Sequence, residues 1–249
     1  MSRRVLVTGA SRGIGRAIAV AFARRGDTVA VHYGSDREEA AATVRTMEGV
    51  GHTLVGGDLA DAEQARTVVD TAVAELGGID VLVNNAAIAP GDGNRHEIAT
   101  VSYADWQRVW RRMTDVDLLG AANVTYLVAH HMMGQEIKGS IVNVGSRGAY
   151  RGEPDFPAYG AAKAALHAFG QSMAIALAPY GIAVASVAPG FVGTERQQSK
   201  IDDSVRGQSP FGRVGTPEEV ASAVVYLSSP EAAWSSGAVL DLNGASHLR

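Results

Sequence analysis

Short β-branched runs, apolar at consecutive positions, alternate along this chain with longer stretches in which apolar residues recur every three or four positions. The runs predict strands at 5–8, 28–32, 52–56, 81–84, 140–144, 183–188 and 239–242. The longer stretches predict helices at 13–25, 38–48, 62–76, 106–131, 159–180 and 217–228. Most of the strands are apolar on both faces, as parallel strands covered by helices on either side must be. Strand-helix alternation implies right-handed crossovers, so the fold class expected is α/β, a doubly wound parallel sheet of about seven strands. Neither a linker nor an internal repeat interrupts the pattern, and one domain spanning 1–249 is expected.

Composition narrows this picture. A chain of 249 residues, 46% hydrophobic and 19% charged, can bury a substantial core. Its formal charge of −4 and its lack of a basic run point away from nucleic acid. With no cysteine, disulfides, thiolate catalysis and cysteine-based zinc sites are excluded. No apolar run approaches the roughly 18 residues of a membrane span. The opening Met1-Ser2-Arg3-Arg4-Val5 has no signal-peptide character, so a cytoplasmic location is expected.

The first candidate chemistry lies between the first strand and the first helix. The run Thr8-Gly9-Ala10-Ser11-Arg12-Gly13-Ile14-Gly15 carries glycines at 9, 13 and 15. Glycine lets a backbone approach a pyrophosphate, and the helix after the turn offers free N–H groups and a positive dipole end. At the first βα turn of a doubly wound sheet this predicts dinucleotide binding. NAD-binding sheets commonly place an acid at the end of the second strand for the ribose 2′-hydroxyl. Here that end reads His32-Tyr33-Gly34-Ser35-Asp36, with no acid where the strand stops. Arg12 and Ser35 can instead meet a 2′-phosphate, so NADP is expected ahead of NAD. Asp36 is read either as a late ribose ligand or as an N-cap of the next helix. Asp58-Leu59, after the third strand, can meet the adenine edge. Asn84, at the end of the fourth, is a candidate for either cofactor contact or backbone satisfaction.

The second candidate is Tyr159-Gly160-Ala161-Ala162-Lys163, opening an alanine-rich helical stretch. Residues four apart share a helix face. A cation beside a phenol favours phenolate and lowers its pKa from about 10, which suits a general acid or base at an alcohol oxygen.

Taken together these motifs resemble the short-chain dehydrogenase/reductase superfamily in its single-domain, Rossmann-like form. The resemblance runs through the glycine turn, Asp58, Asn84-Asn85-Ala86, Ile141-Val142-Asn143-Val144-Gly145-Ser146, Tyr159 with Lys163, Pro189-Gly190, and Gly212 to Val220. The bacterial 3-oxoacyl-(acyl carrier protein) reductases are the nearest subgroup in texture. The resemblance implies hydride transfer between nicotinamide and a carbonyl or secondary alcohol, a 3-oxoacyl thioester among them. It implies that Ser146, thirteen residues before Tyr159, holds the substrate oxygen against the phenol. It gives Lys163 a second role on the nicotinamide ribose. It puts Pro189, Gly190, Val192 and Thr194 beside the nicotinamide, and makes 191–211 a substrate lid. A homotetramer, or a homodimer, is implied, with the helices at 106–131 and 159–180 pairing between subunits.

The chain departs from the family at two places. Asp117 stands where relatives carry an Asn that holds a water relaying protons to the lysine, so the relay is expected to be altered. Asn243-Gly244-Ala245 replaces a usual Asp-Gly-Gly near the C-terminus. Several residues keep blander readings. His130, His131 and His167 are read as packing, interface or helix-end residues. Arg108, Arg111 and Arg112 are read as a solvated face, or as a dock for an acidic carrier protein. Arg147 and Arg151 flank the active-site loop and can meet an anionic substrate. Two rival readings stand beside the reductase: a dehydrogenase of a sugar, polyol or secondary metabolite, and a non-catalytic NADP-binding regulator.

Overall fold

A computed structural model describes residues 2–248. Seven parallel strands form one sheet in the order β3-β2-β1-β4-β5-β6-β7. They are β1 (Arg4–Val7), β2 (Thr28–Tyr33), β3 (Thr53–Gly56), β4 (Val81–Asn84), β5 (Ser140–Val144), β6 (Ala183–Pro189) and β7 (Val239–Leu242). The helices are α1 (Gly13–Arg24), α2 (Arg37–Arg45), α3 (Ala62–Leu76), α4 (Tyr103–Thr114), α5 (Ala121–Gly134), α6 (Gly148–Arg151), α7 (Pro157–Leu177), α8 (Asp203–Arg206) and α9 (Pro217–Leu227).

The period-two alternation of each strand sorts its side chains into two cores. Val5 and Val7 of β1 face one layer with Ile18 and Phe22 of α1 and Val224 of α9. Leu6, between them, faces the other with Val68 of α3 and Val128 and Met132 of α5. Both layers are buried, which is why these strands read as continuous apolar runs. The sequence order reverses between β1 and β4, so a crevice opens beyond the carboxyl ends of the central strands.

The helix expected over 106–131 is longer and not uniform. It begins at Tyr103 behind a Ser102 cap and breaks into a π turn at Asp115–Gly120 before α5. Gly120 presses on the β3–α3 connection there, since a Cβ would stand 2.9 Å from the Leu59 carbonyl oxygen. The extra residue in the turn re-aims α5 relative to α4, and such π bulges cluster at functional sites. The helix expected from 159 starts at Pro157 instead, which places Tyr159 in its first turn. His96 secures that start. It is fully buried and its Nε2 accepts the otherwise unpaired N–H of Ala158 at 3.0 Å. The loop between β4 and α4 is thereby tied to the catalytic-helix candidate.

Candidate active site

At the carboxyl ends of β1, β4, β5 and β6 a cavity of about 480 Å³ contains Arg12, Ile14 and Gly15 at one end and Ser146, Tyr159 and Lys163 at the other. Pro189, Gly190, Val192 and Thr194 wall it between the two.

The nucleotide end is built by close backbone approach. Gly9 has φ +63°, a region that a side chain disfavours. A Cβ on Gly15 would stand 2.3 Å from the Gly9 carbonyl oxygen, so only glycine fits. Arg12 is the N-cap of α1 and makes no side-chain cap bond, which leaves the first-turn N–H groups for a ligand. Thr194 closes over the turn, its methyl 3.3 Å from where a Gly13 Cβ would stand. Ser11 is buried beneath the turn, and its carbonyl accepts from Arg16 and Thr43. This cradle, bare of side chains at Gly9, Gly13 and Gly15 and headed by a helix start, fits a dinucleotide pyrophosphate.

His32, which carried no role in the sequence reading, and Asn85, named there only within the Asn84-Asn85-Ala86 run, hold the turn in place. His32, 2% exposed, accepts the Gly9 N–H on Nδ1 at 2.9 Å and donates from Nε2 to the Gly57 carbonyl at 3.0 Å. Burial pushes its pKa down to about 4, so the ring is neutral. The signal was a lone histidine on an otherwise apolar strand. Asn85 donates from its amide to the carbonyls of Thr8 and Gly9, and it lines the cavity.

The structure places the other expected cofactor contacts as follows. The Asn84 side chain is buried and spent on Thr125 and Asn143, both at 2.9 Å, so the neighbouring Asn85 is the one that reaches the cleft. Leu59 is 3% exposed and packs under the π turn, away from the cavity. Asp58 pairs with Arg112 at 2.8 Å. Burial would raise the Asp58 pKa, but the hydrogen bonds from Arg112 and Ala60 and the Arg112 charge outweigh it and hold the carboxyl below its ordinary value. Asp36 caps α2, accepting from Glu39 N–H at 3.1 Å, and lies 4.0 Å from Arg12. Ser35 is exposed at the same corner. Arg196, expected only as part of the lid, comes to this corner too. Its guanidinium is pushed down first by burial and then by the Arg12 charge.

At the other end, Ser146 follows β5, and its Oγ accepts the Gly148 N–H at 3.0 Å. Lys163 is 3% exposed, donates from Nζ to the Val144 carbonyl at 3.1 Å, and sits 5.8 Å from the centre of the Tyr159 ring. Its pKa is lowered by burial, against the pull of the Asp117 charge. Tyr159 keeps part of its surface open to the cleft, yet its phenol is pushed up to about 12. Burial is the main cause; a hydrogen bond with Ser146 opposes it, while the Asp117 and Glu153 charges add to it. The direction is opposite to the lowering expected from Lys163. Desolvation is the largest influence on the phenol, and Tyr159 holds its proton at neutral pH.

Asp117 does not border the cleft. It lies in the π turn, fully buried, with Oδ1 accepting the Ile88 N–H at 2.8 Å and Oδ2 making no hydrogen bond among the described residues. Burial raises its pKa, opposed by the charge of Lys163, the Ile88 bond and the charge of Arg112. His167 packs on Gly145 and shares a hydrogen bond with the Tyr150 hydroxyl at 2.9 Å, a packing role. His130 stacks on Tyr126 on the surface of α5. Of the three arginines of α4, Arg112 is taken by Asp58 and Arg108 by Asp105 at 2.8 Å.

A family model described as enoyl-(acyl carrier protein) reductase matches residues 9–247. The chain belongs to the short-chain dehydrogenase/reductase superfamily. Among relatives of this reductase family, it is 37% identical to a 3-oxoacyl-(acyl carrier protein) reductase of Vibrio harveyi, covering 98% of this chain and 96% of the relative. It is 36% identical to an L-rhamnose 1-dehydrogenase (NAD(P)+) of a Sphingomonas species, covering 99% and 96%. A solved short-chain dehydrogenase from Bacillus anthracis superposes with a TM-score of 0.86 at 27% identity, covering 98% of this chain and 96% of that one. The protein is an oxidoreductase acting between a nicotinamide nucleotide and a carbonyl or secondary alcohol. No described helix is long and apolar enough to cross a membrane.

Proposed function

We propose that this oxidoreductase is an NADP-dependent carbonyl reductase, or the reverse alcohol dehydrogenase, in which Ser146, Tyr159 and Lys163 handle the substrate oxygen. The observation that carries this reading is the convergence of those three side chains on one cleft whose other end is the glycine turn. When bound, the nicotinamide cofactor supplies or takes the hydride. The protonated phenol of Tyr159 gives its proton to the substrate oxygen. The Ser146 hydroxyl, beside that phenol, fixes the oxygen and stabilises the charge that develops on it. The buried Lys163 ammonium, anchored on the Val144 carbonyl, supplies a positive potential under the phenol. Asp117 acts through Lys163 as a positioning residue, and its charge opposes phenol ionisation.

The preference for NADP rests on the corner after β2, where Arg12 and Arg196 stand together and Ser35 is exposed. Gly9, Ser11, Gly13, Ile14 and Gly15 cradle the pyrophosphate, and Pro189, Gly190, Val192 and Thr194 flank the nicotinamide. The chain acts as one domain over 1–249, with 191–211 as the substrate lid. Lys200 and Gln208 of that segment reach the cleft. A homotetramer fits the exposed apolar Leu119 and Tyr126 on one long helix and Ile175 on another. Cytoplasmic location belongs to the same reading.

The relatives suggest two substrate classes, a 3-oxoacyl thioester and a small polar alcohol or sugar. Arg147, Arg151, Glu153 and Gln208 in the cleft wall favour the small polar class. The pairing of Arg108 and Arg112 within the chain also weakens the case for an acidic carrier dock. The deciding assay offers acetoacetyl thioester and a panel of small ketones, sugars and polyols with NADPH and then NADH. Reduction or oxidation of panel members with an NADP preference is expected. NADPH binding without turnover of any member would favour the regulator. Arg12→Ala combined with Arg196→Ala is expected to narrow the NADPH-over-NADH ratio of kcat/KM at least tenfold, as loss of charge-assisted phosphate contacts should.

A further inference from the structure

Two guanidinium groups at the substrate end of the cleft pair with no carboxylate among the described residues. Arg147 follows Ser146 and is 6% exposed. Its N–H groups reach neutral oxygens, the Ser246 hydroxyl and the Gln208 side-chain carbonyl. Arg151, one turn later and exposed, donates to the same Gln208 carbonyl at 3.0 Å. Among the described residues neither arginine forms an ion pair. Other arginines do pair closely: Arg3 with Asp27 at 2.8 Å, Arg4 with Asp80 at 2.7 Å, Arg213 with Glu219 at 2.6 Å. The one acid in the cleft wall, Glu153, feels both guanidinium charges without pairing to either, and burial raises its pKa. Lys200 lines the same wall, bonded to the Pro90 carbonyl. In this wall Arg147, Arg151 and Lys200 stand beside one carboxylate, Glu153, while Glu219 and Asp241 line the adjoining cavity.

A buried cation with only neutral acceptors is costly unless a counter-charge arrives. The planar fork of an arginine matches a carboxylate with two parallel hydrogen bonds. Arg147 also sits where the catalytic cleft meets a second cavity of about 310 Å³, whose walls include the apolar Phe191, Phe211, Val214 and Leu242. A ligand with its reacting oxygen at Ser146 and Tyr159 and an anionic group a few bonds away would satisfy both ends.

We propose that Arg147 and Arg151, held by Gln208, form a carboxylate subsite, and that the substrate is a small oxo acid or its hydroxy acid. This rests on the reading that Ser146 and Tyr159 hold the reacting oxygen. A phosphate monoester carries the same anionic chemistry, so the test includes one.

Binding is measured apart from turnover, by titrating the protein–NADP complex calorimetrically with 3-oxobutanoate, 4-oxopentanoate and 5-oxohexanoate, their methyl esters, and dihydroxyacetone phosphate. At least one acid is expected to bind tenfold or more tightly than its ester. Gln208→Glu places a carboxylate on both arginines from within the chain and is expected to erase that difference. Arg151→Met, a surface change that spares the fold, is expected to reduce it at least threefold. Acid and ester binding within tenfold for every pair overturns the proposal, as does a preference that survives Gln208→Glu. Discrimination confined to the phosphate overturns the carboxylate assignment. The same compounds incubated with NADPH report separately on the reductase reading: tight acid binding without reduction leaves the subsite standing and sinks the catalytic roles.

Discussion

At the nucleotide end of the cleft, the groups that shape the turn are paired within the chain. Gly9 N–H meets His32, the Thr8 and Gly9 carbonyls meet Asn85, and the Ser11 carbonyl meets Arg16 and Thr43. At the substrate end, Arg147 and Arg151 crowd one neutral amide, and Glu153 pairs with neither. The first end is a finished surface made of backbone, and the second is one whose charges a ligand would complete. A common cofactor needs a fixed backbone shape, which polar satisfaction makes rigid. A substrate that differs between relatives is met by side chains on the β5–α7 connection and the lid, where change costs the core nothing.

Variants that damage one end and spare the other test this contrast. The largest effect is expected from Tyr159→Phe. Loss of the proton donor should lower kcat by about 10²–10⁴-fold, while the dissociation constant for NADPH, read by fluorescence quenching, stays within a few-fold. Retention of a tenth of the wild-type turnover would remove Tyr159 from the proposed role.

The reverse pattern is expected at His32. His32→Leu leaves the partly buried Gly9 N–H and Gly57 carbonyl without the imidazole, at roughly 1 kcal/mol each. The KM for nucleotide should rise more than kcat falls, and the Tm should drop. The wild-type protein carries a pH signature of the same residue. Its imidazole is held near 4 when folded, against an ordinary 6.5, so the unfolded chain binds the extra proton first. The His32 contribution is complete above pH 6.5, and about 3 kcal/mol of stability is lost as pH falls from there to 4. Chemical denaturation across that range should show a loss in wild type that His32→Leu lacks.

The smallest effect is expected behind the cleft, at the buried Asp117. Its charge raises the pKa of both Tyr159 and Lys163. Asp117→Asn removes that charge in a similar volume, so the phenol should ionise at lower pH. The alkaline limb of the kcat profile for reduction, where the protonated phenol is lost, should move downward. An unmoved limb would remove Asp117 from the proposed role, and a lowered Tm beside it would leave a structural one only.

Much of this molecule could be read before any coordinates. Every strand lies within one residue of its expected bounds; β2, for example, differs only by reaching Tyr33. Parallel strands buried on both faces leave a continuous apolar signature, and βα turns punctuate it with glycine. The glycine turn and the Tyr159/Lys163 spacing were legible because backbone approach and helix periodicity are local properties, carried by residues close together in the chain.

The features that stayed hidden depended on neighbours distant in sequence. Asn84 and Asn85 are adjacent and chemically identical, and only the packing of β4 against Thr125 and Asn143 sends one inward and leaves the other for the cleft. The phenol of Tyr159 was expected to sit low beside its lysine. It is instead pushed up to about 12, chiefly by desolvation, a property of everything packed around it rather than of one partner. Arg147 and Arg151 were visible as charges, but their lack of a counter-charge became apparent only when β5, the lid and the C-terminal segment came together around them. Periodicity and turn chemistry belong to the chain as written; burial, and the electrostatics that burial controls, exist only once it has folded.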